Sequence, residues 1–250
     1  MNGYELDWLA VLTGEPRQWL LSGLLITLLL SLAASLLATL VATGLVALSL
    51  SPLRGVRWLA ASYVTLFRNT PLVVQLLFWY FGVLPLLPGS WREWLNLDHE
   101  WLGLNLLAPE FLAGVWGLGL FSAAFIAQEW QSGIRTLDRG QFEASRSQGL
   151  SRWQSLRHVI LPQALANSWQ PLIGQYLNVM KNSTLAMSIA VAELCYQVNQ
   201  VESFNLHAIE AYAIGAALYL VLGLVISHLL SAWGWQLFPH RRHHVHGGIR

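Results

Sequence analysis

Apolar runs of membrane length alternate with short polar stretches along this chain. A bilayer core is about 30 Å thick and takes about 20 apolar residues to cross as a helix. The first run, Gln18 to Leu53, holds no charge over 36 residues and predicts a long, tilted span at about 20–50. The second, Trp58 to Leu87, predicts a span at 58–87 but is interrupted by Arg68, Asn69, Thr70 and Pro71. The third, Phe111 to Gln128, predicts a span at 110–132; its Ala113, Gly114, Gly117 and Gly119 allow close helix packing. The fourth, Ala164 to Ala192, predicts a span at 165–195, and the fifth, Ala211 to Phe238, one at 211–238. The pattern predicts an all-α membrane protein with five transmembrane helices.

Two of these runs carry polar residues that need a reason. In the second, Thr70 is placed to cap and Pro71 to open a new helix. A helix broken at bilayer depth presents free N–H groups to a ligand, a habit of transporters. A plain proline kink, or an interfacial helix ending at Arg68 with the true span starting at Pro71, fits the same residues. Gln75 lies one turn beyond Pro71 and can face a path. In the fourth run, Lys181 is the only lysine of the chain, followed by Asn182, Ser183 and Thr184. A charge at the bilayer centre costs about 2.5–3.5 kcal/mol on insertion scales, so it has a purpose. That purpose is a polar lining for a path, an ion pair with Glu129 or Glu193, or both.

Between the third and fourth runs, residues 133–163 have their own architecture. Asp138 can cap a helix, with Gln141 reaching back as in a capping box. Gly149 suits the left-handed position that closes that helix. Ser151 with Gln154 reads as a second capping box, and Trp153, Leu156 and Ile160 fall on one face of the helix that follows. Leu161 precedes Pro162, which bends the chain back toward the membrane. The stretch is a helix, a glycine corner and a second helix, a rigid knob held outside the bilayer. An amphipathic interfacial hairpin is the alternative.

Composition agrees with a membrane subunit: 250 residues, 55% hydrophobic and only 11% charged, with thirteen Trp, where a soluble domain carries roughly a quarter charged residues. The net charge of +1 is uninformative; its distribution decides the topology. Ten Arg, at 54, 57, 135, 139, 146, 152, 157, 241, 242 and 250, lie in the loops after spans one and three and in the tail. The N-terminus and the other two loops hold Arg17 and Arg92 but nine acids. The positive-inside rule puts the knob and C-terminus in the cytoplasm and the N-terminus outside. The N-terminal segment, 1–19, lacks the positive region of a signal peptide. Trp91, Trp94 and Trp101 in the loop at 88–110 suit a membrane surface belt or contacts for a delivery protein. Cys195 is the single cysteine and has no internal partner. The tail, 240–250, holds four His in no zinc-like spacing and reads as solvated and basic.

The knob carries a specific resemblance. Glu143-Ala144-Ser145, then Gly149, Val159 and Leu161-Pro162, resembles the EAA loop of bacterial ABC importer permeases, with Ser145 and Val159 as mild departures. Gln141 before it and Gln163-Ala164 after it resemble the polar amino acid permeases. Lys181 to Thr184 resembles that family's Lys-Asp/Asn-Thr/Ser-Ser/Thr motif. The string LFRNTPLVVQLLFWYFGVLPLLP is similar to the corresponding helix of its glutamate/aspartate members. The resemblance implies the type I importer fold, outside N-terminus and inside C-terminus. It also implies a bacterial inner-membrane location and a coupling role for Gln141, Glu143, Ala144, Ser145, Gly149, Leu161 and Pro162. Partners follow from it: a second permease subunit, identical or paralogous, two ATPase subunits and a periplasmic amino acid binding protein, with no nucleic acid.

The path residues expected are Asn69, Thr70, Pro71, Gln75, Glu129, Lys181, Asn182, Ser183 and Thr184. Glutamate/aspartate members carry Arg where this chain has Phe125, and Glu and Arg where it has Gln128 and Gln131. The helix string favours an acidic substrate, these departures argue against it, and glutamine-type or basic substrates stay open. No phosphate-binding GxxxxGK[ST] frame exists and no catalytic set is recognisable. The chain is read as no enzyme and as holding no cofactor or metal; ATP and Mg belong to the partner ATPase. The rival reading is a secondary transporter or channel needing no ATPase, which has no use for a docking knob.

Overall fold

A computed structural model describes residues 6–97 and 105–238. Trp101 of the tryptophan loop and the histidine tail lie outside the described residues. Elements are numbered along the chain: α1 (Leu9–Leu12), α2 (Gly14–Ser49), α3 (Arg54–Asn69), α4 (Leu72–Leu77), α5 (Gly89–Leu95), α6 (Pro109–Arg135), α7 (Arg139–Ser147), α8 (Arg152–Ser155), α9 (Leu161–Asn182), α10 (Leu194–Asn205) and α11 (Ala208–Leu237). Helix α4 continues as a wide-turned segment, Phe78–Val83, and a tight turn, Leu84–Leu86.

Helix α6 is the axis of the bundle. Pro109 and Glu110 open it and Arg135 lies in its last turn, which suits the helix dipole at both ends. Its glycines let neighbours approach: a Cβ at Gly117 would meet Leu76, at Gly119 Leu37, and at Gly133 the Ala164 carbonyl at 2.5 Å. Helix α2 begins at Gly14, earlier than the expected 20, and lays one face on α6. That face is buried at helical spacing, Leu30, Ala34, Ala38 and Ala42 toward α6 and Leu20, Gly23 and Thr27 toward α10.

Among the described residues three helices are long and apolar enough to cross a membrane, α2, α6 and α11. A fourth crossing exists if Arg54–Asn69 and Leu72–Leu86 form one span bent by 105°. That bend is too sharp for a plain proline kink. Helix α9, at 22 residues, spans about 33 Å, but its hydropathy is lowered by polar residues along one side.

The expected fourth span is not one helix. It ends at Asn182, passes through a tight turn, Ser183–Ile189, and bends at Ala190 with φ 65° before α10 begins. Glu193 caps α10: its carboxylate accepts from the Cys195 and Tyr196 N–H groups, from Thr27 and from Tyr219 at 2.5 Å. Fully buried, it ties α2, α10 and α11 to the break.

Helix α11 touches the bundle mostly near its ends. Gly215 packs on Val198, and Gly234 takes the Trp169 indole, whose N–H donates to the Leu230 carbonyl at 3.2 Å. Between them its apolar residues are exposed, among them Leu220, Val221, Leu224, Val225 and Leu229.

Candidate functional site

The knob is built by local rules. Asp138 caps α7, its carboxylate accepting from the Gly140 N–H at 2.8 Å. Gln141 does not complete a capping box; its carbonyl accepts from the Gln163 amide at 3.2 Å and so ties α7 to the start of α9. Gly149 adopts φ +78°. Its N–H donates to the Arg146 carbonyl at 2.9 Å and the Leu150 N–H to Ser145 at 3.3 Å, the paired closure of a Schellman motif. A Cβ there would meet nothing within 4 Å, so only the backbone conformation demands glycine. Ser151 and Gln154 form the expected reciprocal box.

Beyond α8 the structure departs from the expectation at Pro162. Residues Leu156–Ile160 form a wide π turn in which the Leu161 N–H donates to the Leu156 carbonyl. The wide turn makes room for the Pro162 ring, and α9 runs on through Pro162 without a break. Ile160 is buried as expected, but Trp153 is 64% exposed. Ser145 is buried, its hydroxyl donating to the Phe142 carbonyl. Phe142, Glu143, Ala144 and Trp153 make an exposed surface.

The polar residues within the apolar bundle fall into two groups. Some hold breaks together. The Gln75 amide donates to the Phe67 carbonyl at 3.0 Å and the Thr70 carbonyl at 3.1 Å, stapling the gap between α3 and α4, and Gln75 is 93% buried. Thr70 does not cap α4; its hydroxyl donates back to the Leu66 carbonyl, and Pro71 holds the cap position. Ser183 is buried and donates to the Met180 carbonyl. Asn69 and Pro71 are exposed at the gap, and Asn182 and Thr184 are half-exposed.

The others line one side of α9. Asn167, Gln170, Asn178 and Lys181 are exposed at helical spacing, with Gln175 half-buried beside them. Pro171, on the same side, lacks the N–H that would bond the Asn167 carbonyl. Lys181 sits at mid-depth. It lines a cavity of about 390 Å³ of mixed character, with Thr184, Tyr219 and Ser227 beside Leu177, Leu220 and Leu224, and Gly223, also in its lining, is at the midpoint of the thirty-residue α11. Among the described residues Lys181 makes no ion pair. Glu129 instead accepts from the Gln175 amide at 3.2 Å, and Glu193 is held by the cap described above.

Across this stripe, the Arg68 guanidinium stands over the Phe125 ring at 5.2 Å. Helices α6 and α9 run antiparallel, with Gly133 on Ala164 and Glu129 on Gln175. Phe125 is one turn before Glu129, and Asn178 one turn after Gln175. An acid, a guanidinium and an ammonium are thus brought to successive levels along about two turns, on the order of 10 Å. Arg68, Gln175 and Asn178 were not among the expected path residues. The sequence does signal the last two, as members of a polar periodicity within α9.

The family described as "Binding-protein-dependent transport system inner membrane component" matches residues 35–233. The chain belongs to it. This inner-membrane component is 34% identical over 183 residues to the "Probable glutamine ABC transporter permease protein GlnM" of Bacillus subtilis (strain 168), covering 73% of this chain and 76% of that protein. It is 32% identical over 213 residues to the "Glutamate/aspartate import permease protein GltJ" of Escherichia coli (strain K12), covering 85% of each. Among solved structures it resembles the "Crystal structure of an amino acid ABC transporter with histidines", with TM-score 0.77 and 31% identity over 93% of this chain and all of that one. Its fold also matches an inward-facing structure of the MetNI methionine ABC transporter, with TM-score 0.70, 16% identity, 90% of this chain and 99% of that one.

Proposed function

We propose that this chain, the permease subunit of an amino acid ABC importer, passes its substrate along the polar side of α9. Mid-depth Lys181, exposed and without an ionic partner among the described residues, is the observation that carries the reading. Lipid does not solvate such a charge, so that side faces a watery path. Arg68 and Lys181 offer partners for carboxylates and Glu129 one for an ammonium, with Asn182 and Thr184 nearby. Two cations against one acid match an amino acid with two carboxylates and one ammonium. Arg68 over Phe125 supplies the guanidinium that Phe125 itself lacks, and a guanidinium suits a carboxylate. The substrate proposed is glutamate or aspartate.

The energy enters through the knob. In this reading the exposed surface of Phe142, Glu143, Ala144 and Trp153 docks on a separate ATPase, which binds the nucleotide and Mg. ATP-driven closure of two such ATPases moves the knobs of a permease pair and swings the spans from inward-open to outward-open. A binding protein delivers substrate outside. Helix α9 and the bent pair α3–α4 complete five crossings, with the N-terminus outside and the knob and tail inside.

The test is a co-purification joined to uptake. Gly149→Asp adds a charge and a Cβ at φ +78°, so the chain should insert normally but lose its ATPase and its transport. In the wild type, radiolabelled glutamate should be displaced by aspartate and not by arginine or glutamine. Wild-type uptake by Gly149→Asp would remove the coupling role; displacement by glutamine alone would move the substrate to glutamine.

A further inference from the structure

We propose that the crevice between α2, α9 and α11 binds one acyl chain of a phospholipid, drawn from the leaflet on the knob side. The crevice holds about 430 Å³ and is lined by Leu32, Leu36, Leu172, Ile226 and Leu230, with Trp169 and Trp233 at its knob-side end. On α2 its lining runs from Leu28 to Thr39, about 16 Å along the helix axis. That is the depth of one leaflet, half of a core about 30 Å thick.

Length and lining decide the occupant. The slot is almost wholly apolar and runs along α2 for the depth of one leaflet, which matches a hydrocarbon chain lying parallel to its neighbours in that leaflet. Left empty, the lining would lose van der Waals contacts, a loss that packed interiors avoid. On α11 the crevice is lined by Ile226 and Leu230, each next in sequence to an exposed apolar residue, Val225 and Leu229.

Polar atoms mark the head end. A second cavity of about 230 Å³ shares Trp130 and Leu165 with the crevice and continues past Thr43 and Ser168 toward the knob. Where the two meet, the Trp130 indole N–H is buried without an acceptor among the described residues, as is the Ser31 hydroxyl farther in. A phospholipid places its ester carbonyls, which are acceptors, at the end of its acyl region, so Trp130 is the donor that meets them. The bound chain fills the gap between α9 and a helix otherwise held near its ends, and leaves α11 free to slide on it. The proposal stands independently of the substrate.

The experiment uses the full chain with its partners in inner-membrane vesicles containing a phosphatidylethanolamine with a photoreactive group along one acyl chain. Cross-linked residues are mapped by mass spectrometry. Adducts are expected on Leu172, Ile226 and Leu230 as well as on Val225 and Leu229. Ser35→Phe, which fills the crevice from α2, should abolish the first set and keep the second. Ile226→Trp narrows it from the opposite wall and should do the same, covering the case in which Ser35→Phe inserts poorly. Adducts on Val225 and Leu229 alone, or crevice adducts that survive both substitutions, would each overturn the site.

Discussion

Helices α9 and α11 pass each other at Met180 and Gly223 and are solvated differently. Helix α11 is apolar over most of its surface, the exposed His228 excepted, and mostly exposed between its ends. Helix α9 buries an apolar face, Leu172, Ile173, Val179 and Met180, and exposes Asn167, Gln170, Asn178 and Lys181. In water an exposed face needs no comment in either case. In a bilayer the exposed side of α11 suits acyl chains and the exposed side of α9 does not. In the function proposed above, two adjacent helices therefore meet two media, lipid along most of α11 and a polar path along α9.

The comparison breaks most visibly if charges are exchanged. Val221→Lys puts a cation on the lipid side of α11 near mid-depth, at a cost of about 2.5–3.5 kcal/mol. The amount of protein in the membrane, read by immunoblot, should fall severely. Full insertion would mean that α11 does not face lipid. Lys181→Gln, at the same depth on α9, should leave that amount unchanged and cut uptake about tenfold, equivalent to about 1.4 kcal/mol. Gln175→Leu frees the Glu129 carboxylate from its amide donor; one hydrogen bond at about 1 kcal/mol predicts an uptake loss of about fivefold, at unchanged protein amount. Smallest is Trp169→Phe, which removes the N–H to the Leu230 carbonyl. Thermal unfolding in detergent should drop by a few degrees, since about 1 kcal/mol shifts a domain of this size by roughly 2–4 °C. Uptake should barely change.

What could be read from the sequence was what local chemistry decides. Gly149 was legible because a left-handed corner excludes side chains by sterics alone, and the box of Ser151 and Gln154 because its partners are three residues apart. Gln141 was misread because its partner, Gln163, is 22 residues away. Thr70 was misread because its hydroxyl had a closer acceptor, the Leu66 carbonyl of its own helix. The apolar run around Ala190 hid a break with a left-handed residue, since hydrophobic residues there signal burial and not conformation. Arg68 lies in the interrupting segment, yet nothing local says it stands over Phe125, 57 residues on; that follows from the 105° bend. Lys181 was legible as purposeful from the cost of its charge, while the absence of an ion pair needed the positions of Glu129 and Glu193.

The central claim is that the polar side of α9 meets water while α11 meets lipid. It is tested by single cysteines in a Cys195→Ser background, at 178 and 181 on α9 and at 221 and 225 on α11, in the assembled transporter in membranes. A water-soluble maleimide should label 178 and 181, glutamate or aspartate should slow that labelling, and 221 and 225 should stay unreactive. Labelling of 221 and 225 with 178 and 181 unreactive would contradict the account.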